Sequence, residues 1–188
     1  MFRSLIILAP GLALAACNSS PTVQATNATG KEVAAKVAAS GISDQLVTPG
    51  QWEITTTIND MTMPGLPPQA AGRMKGFMGK AKTFTECITP EEAKRPKEGM
   101  FAGDDKSCRY DNFSMGSGKI EMAMHCTGNN MTRRMTMSGQ YGPNAYHMNV
   151  TSQGEAKSGP GAMSMQMEMA GKRIGECTAE QLKQESKG

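Results

Sequence analysis

The sequence has little of what most cores and most active sites are built from. Aromatic residues make up 5% of its 188 positions, with a single Trp, and there are two His. Those two, His125 and His147, stand far apart. No G-x-S-x-G elbow, H-E-x-x-H helix or P-loop occurs, so none of the common arrangements that activate a nucleophile, hold zinc or cradle phosphate is present. Asp104 and Asp105 lie beside Lys106 in a Gly-flanked stretch, a composition that marks a solvated turn. A formal charge of +3 is too small for the concentrated basic face of a nucleic-acid binder. There is no run of ~20 apolar residues, which a spanning helix needs. These absences predict a protein that is not an enzyme, with no cofactor, no metal and no nucleic-acid partner.

What is present begins with an address. Arg3 precedes an apolar stretch, Leu5–Leu8 and Leu12–Ala16, interrupted by Pro10 and Gly11. This is a secretory signal in length and charge. Leu14-Ala15-Ala16-Cys17 matches the bacterial lipobox, so residues 1–16 are expected to be removed and Cys17 to carry the lipid. Acyl chains add about 0.8 kcal/mol per buried methylene, and several together make a stable anchor. An Asp after the cysteine resembles an inner-membrane retention signal; Asn18 stands there instead. The expected location is therefore the cell envelope, at the periplasmic face of the outer membrane, with the membrane as a partner through the lipid anchor.

Residues 17–47 contain no aromatic residue and are rich in Ala, Ser, Thr, Asn and Val. Such a stretch is expected to be a lipidated, disordered tether, because little apolar area offsets its ordering entropy. Lys31–Ala39 has helical composition, but an isolated helix shorter than ~12–15 residues is marginal. A free chain of this length would hold the domain about 30 Å from the lipid.

From residue 48 the pattern changes to period two. Trp52, Ile54, Thr56 and Ile58 share one parity. So do Ile120, Met122, Met124 and Cys126; Tyr146, Met148 and Val150; and Met163, Met165, Met167 and Met169. Alternation of this kind turns one row to a core and the other to water. Gly116-Ser117-Gly118, Gly142-Pro143-Asn144 and Ser158–Gly161 punctuate the runs as hairpin turns. Thr89-Pro90-Glu91-Glu92 and Thr178–Gln181 are helix-capping sequences. Residues 59–81, broken by Pro and Gly, read as a long mobile crossover. The fold expected is mainly β: a single antiparallel meander of about seven strands over 48–178. It would be curved or barrel-like, with one or two short helices, a disordered N-terminal tether and a C-terminal tail at 179–188.

With Cys17 lipidated, four cysteines remain, an even set for an oxidising compartment. Their spacings fit no zinc ribbon, and there is no C-x-x-C redox motif. Cys108 and Cys126 are equidistant from Ser117, which favours Cys108–Cys126 with Cys87–Cys177. Cys87–Cys108 with Cys126–Cys177 remains the alternative.

Sixteen Met occur from residue 48 onward, against eight Ile, Leu or Val and eight aromatics. Thioether side chains are therefore expected to fill the core as adaptable hydrophobes. Two other uses compete. Met rows lining a cavity would suit an apolar small molecule such as an acyl chain. M-x-M pairs would suit Cu(I), which soft thioethers select: Met61 and Met63, Met122 and Met124 with His125, Met135 and Met137, and Met163 to Met169. Residues at i and i+2 on a strand are about 6.5–7 Å apart, so a single pair needs ligands from elsewhere. Arg133 shares the parity of Met131, Met135 and Met137, which predicts a strand-end side chain reaching back to solvent or a shifted register.

Pro49-Gly50-Gln51-Trp52-Glu53, Cys87-Ile88-Thr89-Pro90-Glu91-Glu92-Ala93 and Gly171-Lys172-Arg173-Ile174-Gly175-Glu176-Cys177, in this order, resemble the bacterial domain of unknown function family 3617 over about residues 47–178. The resemblance implies an exported, often lipidated, Met-rich protein and brings no activity, cofactor or catalytic residue. The function expected is a non-catalytic binding or structural module of the envelope, its protein partner unknown. A carrier of an apolar ligand and a periplasmic Cu(I)-handling protein are the alternatives.

Overall fold

A computed structural model describes residues 21–42, 46–76, 78–94, 106–128, 131–156 and 162–185. The described residues form eight strands: β1 (Thr22–Ala28), β2 (Gly50–Thr62), β3 (Lys82–Ile88), β4 (Cys108–Gly116), β5 (Lys119–Thr127), β6 (Met131–Gly142), β7 (Ala145–Ala156) and β8 (Ala162–Gly175). Among the described residues four helices accompany them: α1 (Gly30–Ser40), α2 (Pro68–Lys75), α3 (Pro90–Lys94) and α4 (Ala179–Glu185). The strands form one antiparallel sheet in the order β1-β4-β5-β6-β7-β8-β2-β3. The architecture is the expected antiparallel one, with eight strands instead of seven. β1 and β3 end the sheet on either side, so it is open and not a closed barrel.

Strands β4 to β8 follow one another in space as in sequence, because short turns permit nothing else. Between β4 and β5 the turn is Ser117–Gly118, with φ of 51° and 74°. Two positive φ values match the twist of the flanking strands, and Gly118 takes its own without steric cost. That turn pairs Gly116 with Lys119. Continued unbroken, the register would set Cys108 against Thr127. One extra residue at Asp111 shifts it, and Cys108 faces Cys126. The bulge thus decides the cross-link.

The largest correction concerns the N-terminal segment. Residues 22–28, expected within a disordered tether, form β1 on the edge of β4, with Val23 opposite Met115 and Ala25 opposite Phe113. Thr29 caps α1: its hydroxyl accepts from the Glu32 N–H at 3.2 Å, and the Glu32 carboxylate accepts from the Thr29 N–H at 2.7 Å. Gly41 ends the helix in the left-handed conformation, φ 71°. α1 then buries Val33 and Val37, followed by Ile42 and Leu46. These residues join Tyr110, Phe113, Met115, Ile120, Met122 and Met124 in one cluster. The helix is too short to persist alone; burial of its Val stripe supplies what its length does not. Short aliphatic side chains that the composition of 17–47 seemed to waste therefore share the core with Met.

The described residues of 59–81 are also more ordered than a mobile crossover. β2 runs to Thr62 and α2 begins at Pro68. Helices α3 and α4 start where the capping sequences place them, with Glu92 and Gln181 bonded back to Thr89 and Thr178.

Candidate functional site

One face of the sheet is apolar and the other polar, and cross-strand register defines the apolar rows. Phe113, Met122, Met137, Val150, Met167 and Ile58 are successive partners across six strands. A second row runs Met115, Ile120, Gly139, Met148 and Met169. The end nearest the Ser117–Gly118 turn lines an open-sided cavity of about 390 Å³. Its wall takes Met115 from β4, Ile120 from β5, Met137 and Tyr141 from β6, and Tyr146 and Met148 from β7. Met169 of β8, Ile54 of β2 and Phe84 of β3 complete the sweep. β4 and β3 are six strand spacings apart, about 29 Å in a flat sheet at ~4.8 Å each. One cavity wall drawn from both strands fits a sheet that curls over it. Leu46 and Val47 after α1, and Ala93 of α3, supply the remaining apolar wall.

Two details make the space. Gly139 stands opposite Met148, where a Cβ would lie 2.6 Å from Met148 Sδ. Gly171 stands opposite Tyr146, whose ring occupies the place of the missing side chain. Tyr146 in turn stacks on Trp52, ring centres 6.0 Å apart, and the Trp52 indole N–H donates to the Thr48 carbonyl at 2.9 Å. Burial raises the Tyr141 and Tyr146 hydroxyls above their ordinary pKa, and the Glu86 carboxylate adds to the effect at Tyr146. Both phenols therefore stay neutral at physiological pH. Glu86 and Glu92 are the charged residues of the lining, and Glu92 is committed to the cap of α3. Phe84 is half exposed on the edge strand β3, a large apolar side chain at the cavity's margin.

The methionines divide into groups. Met115, Met122 and Met124 are buried, as core fillers should be, at 3%, 7% and 4% exposure. Met137, Met148 and Met169 line the cavity. Met163, Met165 and Met167 are half-buried farther along β8. The Cu(I) pairing of Met122 and Met124 with His125 is overturned: alternation along β5 puts His125 on the opposite face, where its Nδ1 lies 2.7 Å from Asp111 Oδ1. His147 likewise faces outward, 2.6 Å from Glu168 Oε1. Among the described residues no three His, Cys, Asp or Glu gather as a metal site. Arg133 is exposed, facing Cys126 across the β5–β6 ladder without a register break.

The structure joins Cys108 to Cys126, with Cα atoms 3.9 Å apart, and Cys87 to Cys177, at 5.6 Å. By loop entropy the two contribute roughly 3 and 4–5 kcal/mol. The second fastens the ends of β3 and β8 on either side of β2. There the three sequence motifs meet. Gly50, at φ 142°, leaves room for the Arg173 side chain, whose Nε donates to the Pro49 carbonyl at 2.8 Å. The Arg173 backbone N–H donates to Asn144, and its guanidinium pairs with Glu176. Of the motif residues, Ile88, Glu92 and Ala93 line the cavity, and Gly50, Arg173 and the Cys87–Cys177 disulfide clamp strand ends beside it. Cys17, Asp104 and Asp105 lie outside the described residues. Leu46, Val47 and Phe84 are cavity residues that sequence reasoning missed. Alternation of Phe84, Glu86 and Ile88 was the available signal for the last.

Among the described residues no helix is long and apolar enough to cross a membrane. A family model described as "Protein of unknown function (DUF3617)" matches residues 47–177. No curated protein and no solved structure matches the chain.

Proposed function

The chain belongs to the DUF3617 family, and from that footing we propose that it is a non-catalytic envelope lipoprotein that holds an apolar, chain-like ligand inside its curled sheet. The cavity is the observation that supports this. Its volume of about 390 Å³ lies within the ~300–1,000 Å³ of small-molecule sites. Thioether, aliphatic and neutral aromatic groups dominate its wall, and Met side chains adapt to ligands of variable shape. Water gains few hydrogen bonds there, so an acyl chain that displaces it is favoured by transfer of apolar area.

The anchor read from Leu14–Cys17 fits the same use. β1 begins at Thr22, so four residues separate it from Cys17, and the five Cα steps reach at most about 18 Å. This is far less than the 30 Å expected of a free tether. Thr22 pairs with Gly116 beside the Ser117–Gly118 turn, at the end of the sheet that also holds the cavity. A lipidated Cys17 would keep that end close to the bilayer surface and its acyl chains.

The test is titration of Cys17→Ser protein, stripped of lipid, with a fluorescent fatty acid. Saturable binding of one molecule per chain is expected. Met148→Trp and Met169→Trp, which fill the cavity, should weaken it by about tenfold or more. Absence of saturable binding, or binding indifferent to both substitutions, rejects the proposal.

A further inference from the structure

A second, smaller pocket lies toward the other end of the apolar face. It measures about 240 Å³, and its wall is Ile58, Met61, Met74, Met78 and Lys82. Three of its five residues are methionines, drawn from three places: Met61 near the end of β2, Met74 in α2, and Met78 in the turn after it. Backbone contacts bring them together. The Gly79 N–H donates to the Ile58 carbonyl at 2.8 Å, which pins the turn to β2 three residues before Met61. The Gly76 and Met78 N–H groups donate back to carbonyls of α2, at Arg73 and Lys75.

Core filling does not account for this trio. No residue of α2 is fully buried, and Met61, Met74 and Met78 are half-buried, unlike the fully buried Met122 and Met124. A half-buried packing contact needs only hydrophobic side chains of the right size. Three methionines around one open pocket provide in addition a neutral, soft donor set. Lys82 also borders the pocket, but it is exposed on an edge strand, where water and salt screen its charge.

We propose that Met61, Met74 and Met78 form a binding site for a soft monovalent cation of the Cu(I) class, distinct from the apolar cavity. Thioether sulfur selects Cu(I) over hard or borderline divalent ions. The ligands come from a strand, a helix and a turn, not from adjacent positions of one strand as an M-x-M pair would supply them. Thioethers carry no titratable proton, so binding is independent of pH where His, Cys or carboxylate ligands would be protonated.

The experiment is anaerobic Cu(I) titration of the full chain with both disulfides intact and Cys17→Ser, so that no thiol competes. Bicinchoninate serves as the competing chelator, and Ag(I) as a probe that undergoes no redox change. One ion per chain is expected, with equal affinity at about pH 5 and about pH 7. Met74→Leu should weaken binding by about tenfold or more. The triple variant Met61→Leu, Met74→Leu, Met78→Leu should abolish it, whereas Met163→Leu should not. Met74→Leu alters an unburied helix position, so it remains informative if the triple variant is unstable. Unchanged affinity in Met74→Leu, equal loss in Met163→Leu, or a loss of binding between the two pH values overturns the proposal. Fatty-acid binding by the same variants reads the larger cavity separately.

Discussion

Tyr146 and Gly171 face each other across β7 and β8, and the tyrosine ring lies over the glycine. A Cβ at position 171 would stand 2.3 Å from Tyr146 Cε1 and 2.5 Å from Cζ. The glycine is there to admit the ring, which walls the cavity on one side and stacks on Trp52 on the other. Gly171→Ala is therefore expected to displace Tyr146 and to destabilise the fold by about 1–3 kcal/mol, the usual cost of overpacking. Urea unfolding monitored by Trp52 fluorescence measures both effects. An unchanged midpoint with an unchanged native spectrum contradicts the prediction.

Tyr110 makes the opposite case. Its ring is fully buried edge-on to Phe113, 5.7 Å between centres, while its hydroxyl has no hydrogen-bond partner. Burial pushes its pKa up to about 12. Tyr110→Phe removes an unsatisfied polar group and keeps the shape, so stability should hold or rise by about 1 kcal/mol. A lower thermal midpoint would show that the hydroxyl is stabilising.

Val33 tests whether the N-terminal segment belongs to the domain. It is 0% exposed in the cluster beneath α1. Val33→Ala should cost about 2 kcal/mol through lost burial and the space left behind. A disordered tether would show no change. Amide exchange across β1 and α1 should accelerate in the variant before it does in β6 or β7.

Acid sensitivity follows from two surface carboxylates. Glu32 is held below the ordinary carboxylate pKa of 4.5, first by the Thr29 backbone N–H and then by the Thr29 hydroxyl. Glu168 is lowered by its hydrogen bonds to His147 and Asn59. A depressed folded-state pKa means that the native state binds fewer protons than the unfolded chain. The stabilisation is therefore complete above the unfolded pKa, near 4.5, and disappears as pH falls through the lowered value. Glu32→Gln retains a capping side chain but does not titrate, so its unfolding midpoint should fall less steeply below that pH. Equal slopes for the parent and the variant would exclude Glu32 as a contributor.

Local pattern carried a good part of the fold. Alternation in Ile120–Cys126 and Tyr146–Val150 identified the apolar face because a strand must present every second residue to the same side. Thr89 and Thr178 announced their helices through capping chemistry that acts over three residues. The equal spacing of Cys108 and Cys126 from Ser117 pointed to the right partners, although the register depends on a bulge at Asp111 that no residue type foretold. What stayed hidden was nonlocal. Val23, Val33 and Val37 lie in a stretch of ordinary polar composition, and nothing nearby shows that β4 and the open sheet face are waiting for them. The small pocket was equally hidden, since Met61 and Met78 are brought together by one hydrogen bond between Gly79 and Ile58.

The amino-acid order by itself determined the strand meander and the capped helices, because each depends on contacts within a few residues. Tertiary structure alone decided that β1 and α1 join the domain, that seven strands contribute to one cavity wall, and that three distant methionines border one pocket. Those outcomes depend on which surfaces bury one another across the whole chain, and a one-dimensional pattern holds no measure of that area.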